Sequence, residues 1–167
     1  IFVSLLASVQ TYGQCVQAFP YTENFDGSSW VVPPNNFQAG SIATCWSRQA
    51  TTFNYRWVPG PINPPLASSG PTTDHTTGSG KFMYSVVSSG TFSTSTNLTT
   101  PFIDLSSAVA PEVSFWYHMF GASISNLRLQ VSNGGSWVTI ETISGQQQTS
   151  GTDSWDKETT SLAAYVG

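Results

Sequence analysis

The sequence predicts an all-β chain folded as a sandwich of two antiparallel sheets, and three observations predict it. Apolar residues show no 3.6-residue period beyond a turn or two. Short alternating segments recur through the second half, and Gly, Asn, Pro and Ser punctuate them. At 167 residues the chain can bury one sizeable core, and with 8% charged and 13% aromatic residues it is too apolar for disorder.

The strands follow in order. Phe82-Met83-Tyr84-Ser85-Val86-Val87 reads as the first, and residues 98–103 as the second. Pro101 in the latter cannot donate to a ladder, which marks an edge or a strand start. In Val113-Ser114-Phe115-Trp116-Tyr117-His118-Met119, Val, Phe, Tyr and Met share one face, with Ser, Trp and His on the other, as in a central strand. Residues 127–132 alternate, Asn133-Gly134-Gly135 supplies a turn, and residues 137–143 return as the second arm of a hairpin. Residues 155–159 are strand-like again. Between Thr51 and Gly80, nine prolines and glycines (Pro59, Gly60, Pro61, Pro64, Pro65, Gly70, Pro71, Gly78, Gly80) predict a long surface loop, either a place for binding groups or a loose insertion.

The net charge is −4, and the five basic residues Arg48, Arg56, Lys81, Arg128 and Lys157 are scattered singly. No patch exists to neutralise phosphates, so nucleic acid is excluded as a partner. The apolar start Ile1–Val9, followed by Thr11-Tyr12-Gly13, reads as the remnant of a secretory signal peptide over residues 1–13. A short buried helix or strand is the alternative, and the stretch is too short to span a bilayer. In an exported chain the even count of Cys15 and Cys45 favours a disulfide over two buried thiols.

Several separated pieces carry a resemblance: Tyr21-Thr22-Glu23-Asn24-Phe25-Asp26, Cys45-Trp46 with Arg48-Gln49, and Gly70-Pro71-Thr72-Thr73-Asp74-His75-Thr76-Thr77-Gly78-Ser79-Gly80-Lys81-Phe82-Met83-Tyr84. Leu98-Thr99-Thr100-Pro101, the 113–121 strand and Leu127-Arg128-Leu129 follow in the same order. From about Phe19 to Gly167 the chain resembles the MAM domain, a jelly-roll module of extracellular adhesion receptors and secreted proteases. The opening motif also has a looser likeness to secreted adhesin-type modules of Bacteroidetes. A cysteine that the family places before the 113–119 strand is absent, as is its acidic closing motif. The resemblance therefore implies a jelly roll over residues 14–167, truncated at its C-terminus.

Chemistry is sparsely encoded. His75 and His118 have no zinc-binding spacing, and with 45 Ser and Thr residues some hydroxyl will always lie near an imidazole, so no catalytic residue is assigned. Asp104, Glu112, Glu141, Asp153, Asp156 and Glu158 show no identifiable glycosidase pair. Glu23, Asp26 and Asp74 are the candidate ligands of a structural calcium, which wants six to eight oxygens; the resemblance implies such a cation, and solvated acids or turn caps are the alternative. Asp74 and His75 are expected to staple the Gly-Pro loop to the sandwich by hydrogen bonds. Trp116 and His118 read as second-layer packing, and Phe53, Tyr55 and Trp57 as a row that packs in the core or stacks on sugar rings.

Together these readings predict a non-catalytic extracellular adhesion or protein-interaction module of a larger secreted or cell-surface protein, attached to a membrane only through that parent. The alternative is a carbohydrate-binding accessory module of a secreted hydrolase or protease. The partner is accordingly an extracellular protein or a glycan.

Overall fold

A computed structural model describes residues 15–35, 38–49, 55–61, 69–87 and 95–166. The signal-peptide expectation at residues 1–13 and Phe53 lie outside them. The strands are β1 (Val16–Ala18), β2 (Ser47–Arg48), β3 (Tyr55–Gly60), β4 (Phe82–Val87), β5 (Leu98–Thr99), β6 (Phe102–Asp104), β7 (Glu112–Tyr117), β8 (Asn126–Val131), β9 (Val138–Ser144) and β10 (Asp156–Ser161). A single 3₁₀ turn, Ala163–Tyr165, is the helical element among the described residues. The architecture is the all-β, jelly-roll sandwich.

Pairing follows side-chain alternation. Val113, Phe115 and Tyr117 point one way from β7 and are half-buried, whereas Ser114 and Trp116 face solvent. β10 pairs antiparallel with β7, setting Lys157 beside Trp116 and Asp156 beside Tyr117. The predicted hairpin is present as β8 and β9, with a bulge between Leu129 and Gln130. β1 runs parallel to β6 and β2 antiparallel to β5.

Two expectations are corrected. Residues 55–60 were expected in the long loop, yet they form β3, which pairs with β4 from Tyr55–Val87 to Gly60–Phe82. Among the described strands β3 is bonded to β4 alone, so the missing N–H of Pro59 leaves no second ladder broken. Residues 98–103 were expected as one strand, but they split at Thr100-Pro101 into β5 and β6, which pair with different partners.

Among the described residues the largest fully buried side chains are Trp30, Val58, Pro59 and Pro111. Trp30 meets Phe25 and Trp46 edge to face at 5.0 and 5.3 Å between ring centroids, and the Trp46 indole donates to the Tyr21 hydroxyl at 3.0 Å. Arg48 extends this region, with its guanidinium donating to the carbonyls of Ala39, Gly40 and Trp57 at 2.6 to 3.0 Å. Burial, with the Arg56 charge adding to it, lowers the Arg48 pKa.

The Cys15–Cys45 disulfide is formed, closing a separation of 30 residues. It ties the start of β1 to the turn before β2. By loop-closure entropy the bridge contributes about 3 to 4 kcal/mol. Intact mass is expected to rise by two hydrogens on reduction, with a matching fall in the denaturation midpoint; an unchanged mass or midpoint contradicts the assignment.

Candidate functional site

In the stretch leading into β4, one carboxylate closes residues 74–80. Asp74, 7% exposed, accepts four hydrogen bonds: Oδ2 from the amides of Thr76 and Thr77, each at 2.8 Å, and Oδ1 from the Gly80 amide at 2.7 Å and the Thr77 hydroxyl at 3.1 Å. Asp followed by Thr-Thr-Gly-Ser-Gly suits this, because a short acidic side chain caps amides two and three residues on. Gly78 supplies the left-handed turn at φ +75°. The adjacent amide, Lys81, donates to Asp26 Oδ1 at 2.7 Å. Consecutive amides are thus held by two carboxylates, one from the loop and one from the N-terminal segment.

A second loop, between β9 and β10, is built the same way. Asp153 accepts from the amides and hydroxyls of Thr149 and Ser150 at 2.7 to 2.9 Å. These bonds hold its carboxyl well below the usual carboxylate range. The loops are fastened to each other: the Thr72 amide and hydroxyl donate to the Gly151 carbonyl at 2.8 and 3.1 Å, and the Trp155 indole donates to the Thr73 carbonyl at 3.2 Å. Gln148, 4% exposed, anchors the base, accepting from the Met119 amide and donating to Asp156 Oδ2.

Between the loops lies an open cleft of about 380 Å³, lined by Thr73, Asp74, His75, Trp116, Thr152, Asp153, Ser154 and Trp155. The His75 and Trp116 rings stack at 3.7 Å between centroids with 18° between their planes, and Lys157 Nζ stands 5.9 Å from the Trp116 ring centre. Trp155 meets His118 and Phe82 behind the cleft. Burial lowers the His118 pKa, against an opposing pull from the Asp153 charge.

The predicted residues divide accordingly. Asp74 closes its loop on itself and not onto the sandwich, since its donors are Thr76, Thr77 and Gly80; His75 Nδ1 lies 3.4 Å from Thr76 Oγ1, and it is the His75 ring that reaches the sheet, at Trp116. Trp116, expected as second-layer packing, is 45% exposed, because its strand turns that face to solvent; His118 is half-buried. Tyr55 and Trp57 are half-buried in β3, and the Trp57 indole donates to the Thr96 carbonyl.

Of the expected calcium ligands, Asp26 Oδ1 and Asp74 Oδ2 come within 2.8 and 3.0 Å of where a Gly80 Cβ would stand, with Thr77 Oγ1 at 3.0 Å. In type these oxygens suit a hard cation. Glu23 instead accepts from the Phe25 amide at 2.7 Å, which holds Phe25 at φ +65° and turns it towards Trp30. Among the described residues no group of three or more His, Cys, Asp or Glu side chains could hold a metal ion.

Sequence reasoning missed Asp153, Trp155 and Gln148. The only local signal was Thr149-Ser150 ahead of Asp153, the composition of a side-chain-capped turn.

A family model described as "MAM domain, meprin/A5/mu" matches residues 35–165. Neuropilin-1a of Danio rerio is 34% identical over 97 residues, 56% of this chain and 10% of that relative. The chain thus matches about a tenth of the relative's length. No solved structure matches the chain.

Proposed function

Because the chain belongs to the MAM domain family, an extracellular adhesion and protein-interaction module, we propose that it acts as a non-catalytic binding module of a larger secreted or cell-surface protein. The observation that supports this reading is the cleft between two mutually fastened loops, because binding groups on a β scaffold sit on such loops. His75 and Trp116 are exposed there, Trp155 is half-buried, and its carboxylates are engaged in holding backbone amides. Residues 1–13 fit the remnant of an export signal, and attachment to a membrane would come from the parent protein.

The test is adhesion. Cells of a non-adherent line displaying the chain are expected to bind a target cell layer, and trypsin treatment of the target is expected to abolish binding while glycosidases leave it intact. Loss on glycosidase treatment alone would favour the second reading, a carbohydrate-binding accessory module, which the exposed Trp116 supports. No adhesion to any target would refute the first.

A structural calcium is proposed at Asp26 and Asp74, whose oxygens meet at Gly80, with Glu23 left holding the Phe25 amide. A cation there competes with the N–H donors to Asp74. Its expected signature is a melting temperature that rises in calcium and falls in chelator, with Asp26→Asn removing the difference. Identical melts would remove the proposal.

A further inference from the structure

We propose that the cleft between the Thr73–His75 and Thr152–Trp155 loops takes a cationic side chain, arginine or lysine, of a protein partner. In the kind of partner it rests on the protein-interaction reading, whereas the cleft chemistry stands on its own residues. The rings supply one half of the argument. Trp116 is 45% exposed, and it already holds a cation: Lys157 Nζ, 5.9 Å from its centre, lies at the distance of a cation–π contact. A longer or more tightly presented cation from outside can take the ring face that Lys157 now covers, with Lys157 swinging into solvent on its flexible stem.

The carboxylates supply the other half and decide between ligand classes. A sugar in a cleft of this kind is oriented by acceptors that take its hydroxyl protons. Asp74 and Asp153 each already accept four hydrogen bonds, which is about the full capacity of a carboxylate. They have little left to orient hydroxyls, yet their charges remain and act through the field on whatever enters. The same bonds hold both carboxyls below the usual carboxylate range, so both carry their charge near neutrality. The Trp155 indole N–H is likewise committed, to the Thr73 carbonyl. What remains is an aromatic wall beside two fixed negative charges, on a chain of net charge −4. That arrangement complements a cation better than a neutral polyol. At about 380 Å³ the cleft is near the lower end of ligand pockets and suits a single side chain.

The experiment is a nitrogen-15 NMR titration following the indole N–H signals of Trp116 and Trp155. Three probes are used: acetyl-arginine amide, its neutral isostere acetyl-citrulline amide, and a methyl glycoside. The arginine probe is expected to shift both signals saturably, with citrulline and the glycoside leaving them in place. Asp153→Asn is expected to weaken the arginine response, and Trp116→Ala to weaken it by about tenfold, read on Trp155. Trp137→Ala, at a ring 55% exposed outside the cleft lining, should leave it unchanged. Equal shifts from arginine and citrulline, shifts from the glycoside alone, or none from any probe would overturn the proposal. A saturable arginine response in a chain that mediates no adhesion would support the cleft chemistry and count against the adhesion reading alone.

Discussion

Replacing Trp30 by alanine is expected to lower the unfolding free energy by about 3 to 5 kcal/mol, read as a shifted urea midpoint. Trp30 is 2% exposed and is the ring on which Phe25 and Trp46 both stand. Its removal loses the transfer energy of the largest side chain and leaves a void that two neighbouring rings cannot collapse into. The N-terminal turn depends on it as well. Phe25 is held at positive φ by the Glu23 carboxylate, a strained conformation that persists only while surrounding contacts determine it. Trp30→Phe should retain about half of the lost stability. A loss below about 1 kcal/mol for the alanine variant would mean that the cluster is peripheral to the core.

Asp74→Ala is expected to cost roughly 3 to 5 kcal/mol, because it strands three backbone amides and a hydroxyl that one carboxylate now satisfies. The pH dependence identifies the cause. Burial raises the Asp74 pKa, but the bonds from Thr77, Gly80 and Thr76 outweigh it, and the net shift is downward. A carboxyl whose folded pKa lies below its unfolded value of about 3.9 contributes stability in full above that value and loses it as the pH falls through the folded value. The wild-type and Asp74→Ala stability curves are therefore expected to lie apart near neutrality and to converge below about pH 4. Parallel curves down to the acid limit would show that packing, not the charged acceptor, accounts for the loss.

The parts of this structure that were legible in the sequence are those set by local chemistry. The hairpin of β8 and β9 was visible because period-two alternation flanks Asn133-Gly134-Gly135, and both signals agree. The capping by Asp74 was visible because Asp, Thr and Gly at short spacing satisfy one another without distant partners. The disulfide followed from the even cysteine count in a chain read as exported. β3 was hidden, since Pro59 and Gly60 speak for a loop, and they are tolerable in a strand because β3 has one neighbour, β4, among the described strands. The cleft was hidden more deeply. His75, Trp116 and Trp155 come from three separate elements: the pairing of β10 with β7 sets Trp116 beside the start of β10, and what brings the His75 loop to them is the Thr72–Gly151 bond and the Trp155–Thr73 bond between loops. Neither has a local signature. The likeness to the MAM domain was legible from the order of its motifs, and the family match over residues 35–165 agrees with it.

Whether this MAM domain binds proteins outside the cell is tested most directly by probing the labelled chain against arrayed extracellular protein domains and arrayed glycans side by side. Saturable binding to one or more protein domains is expected, weakened by Trp116→Ala, with no saturable glycan signal. Saturable binding confined to glycans would contradict that expectation and make the chain a carbohydrate-binding module on the same fold.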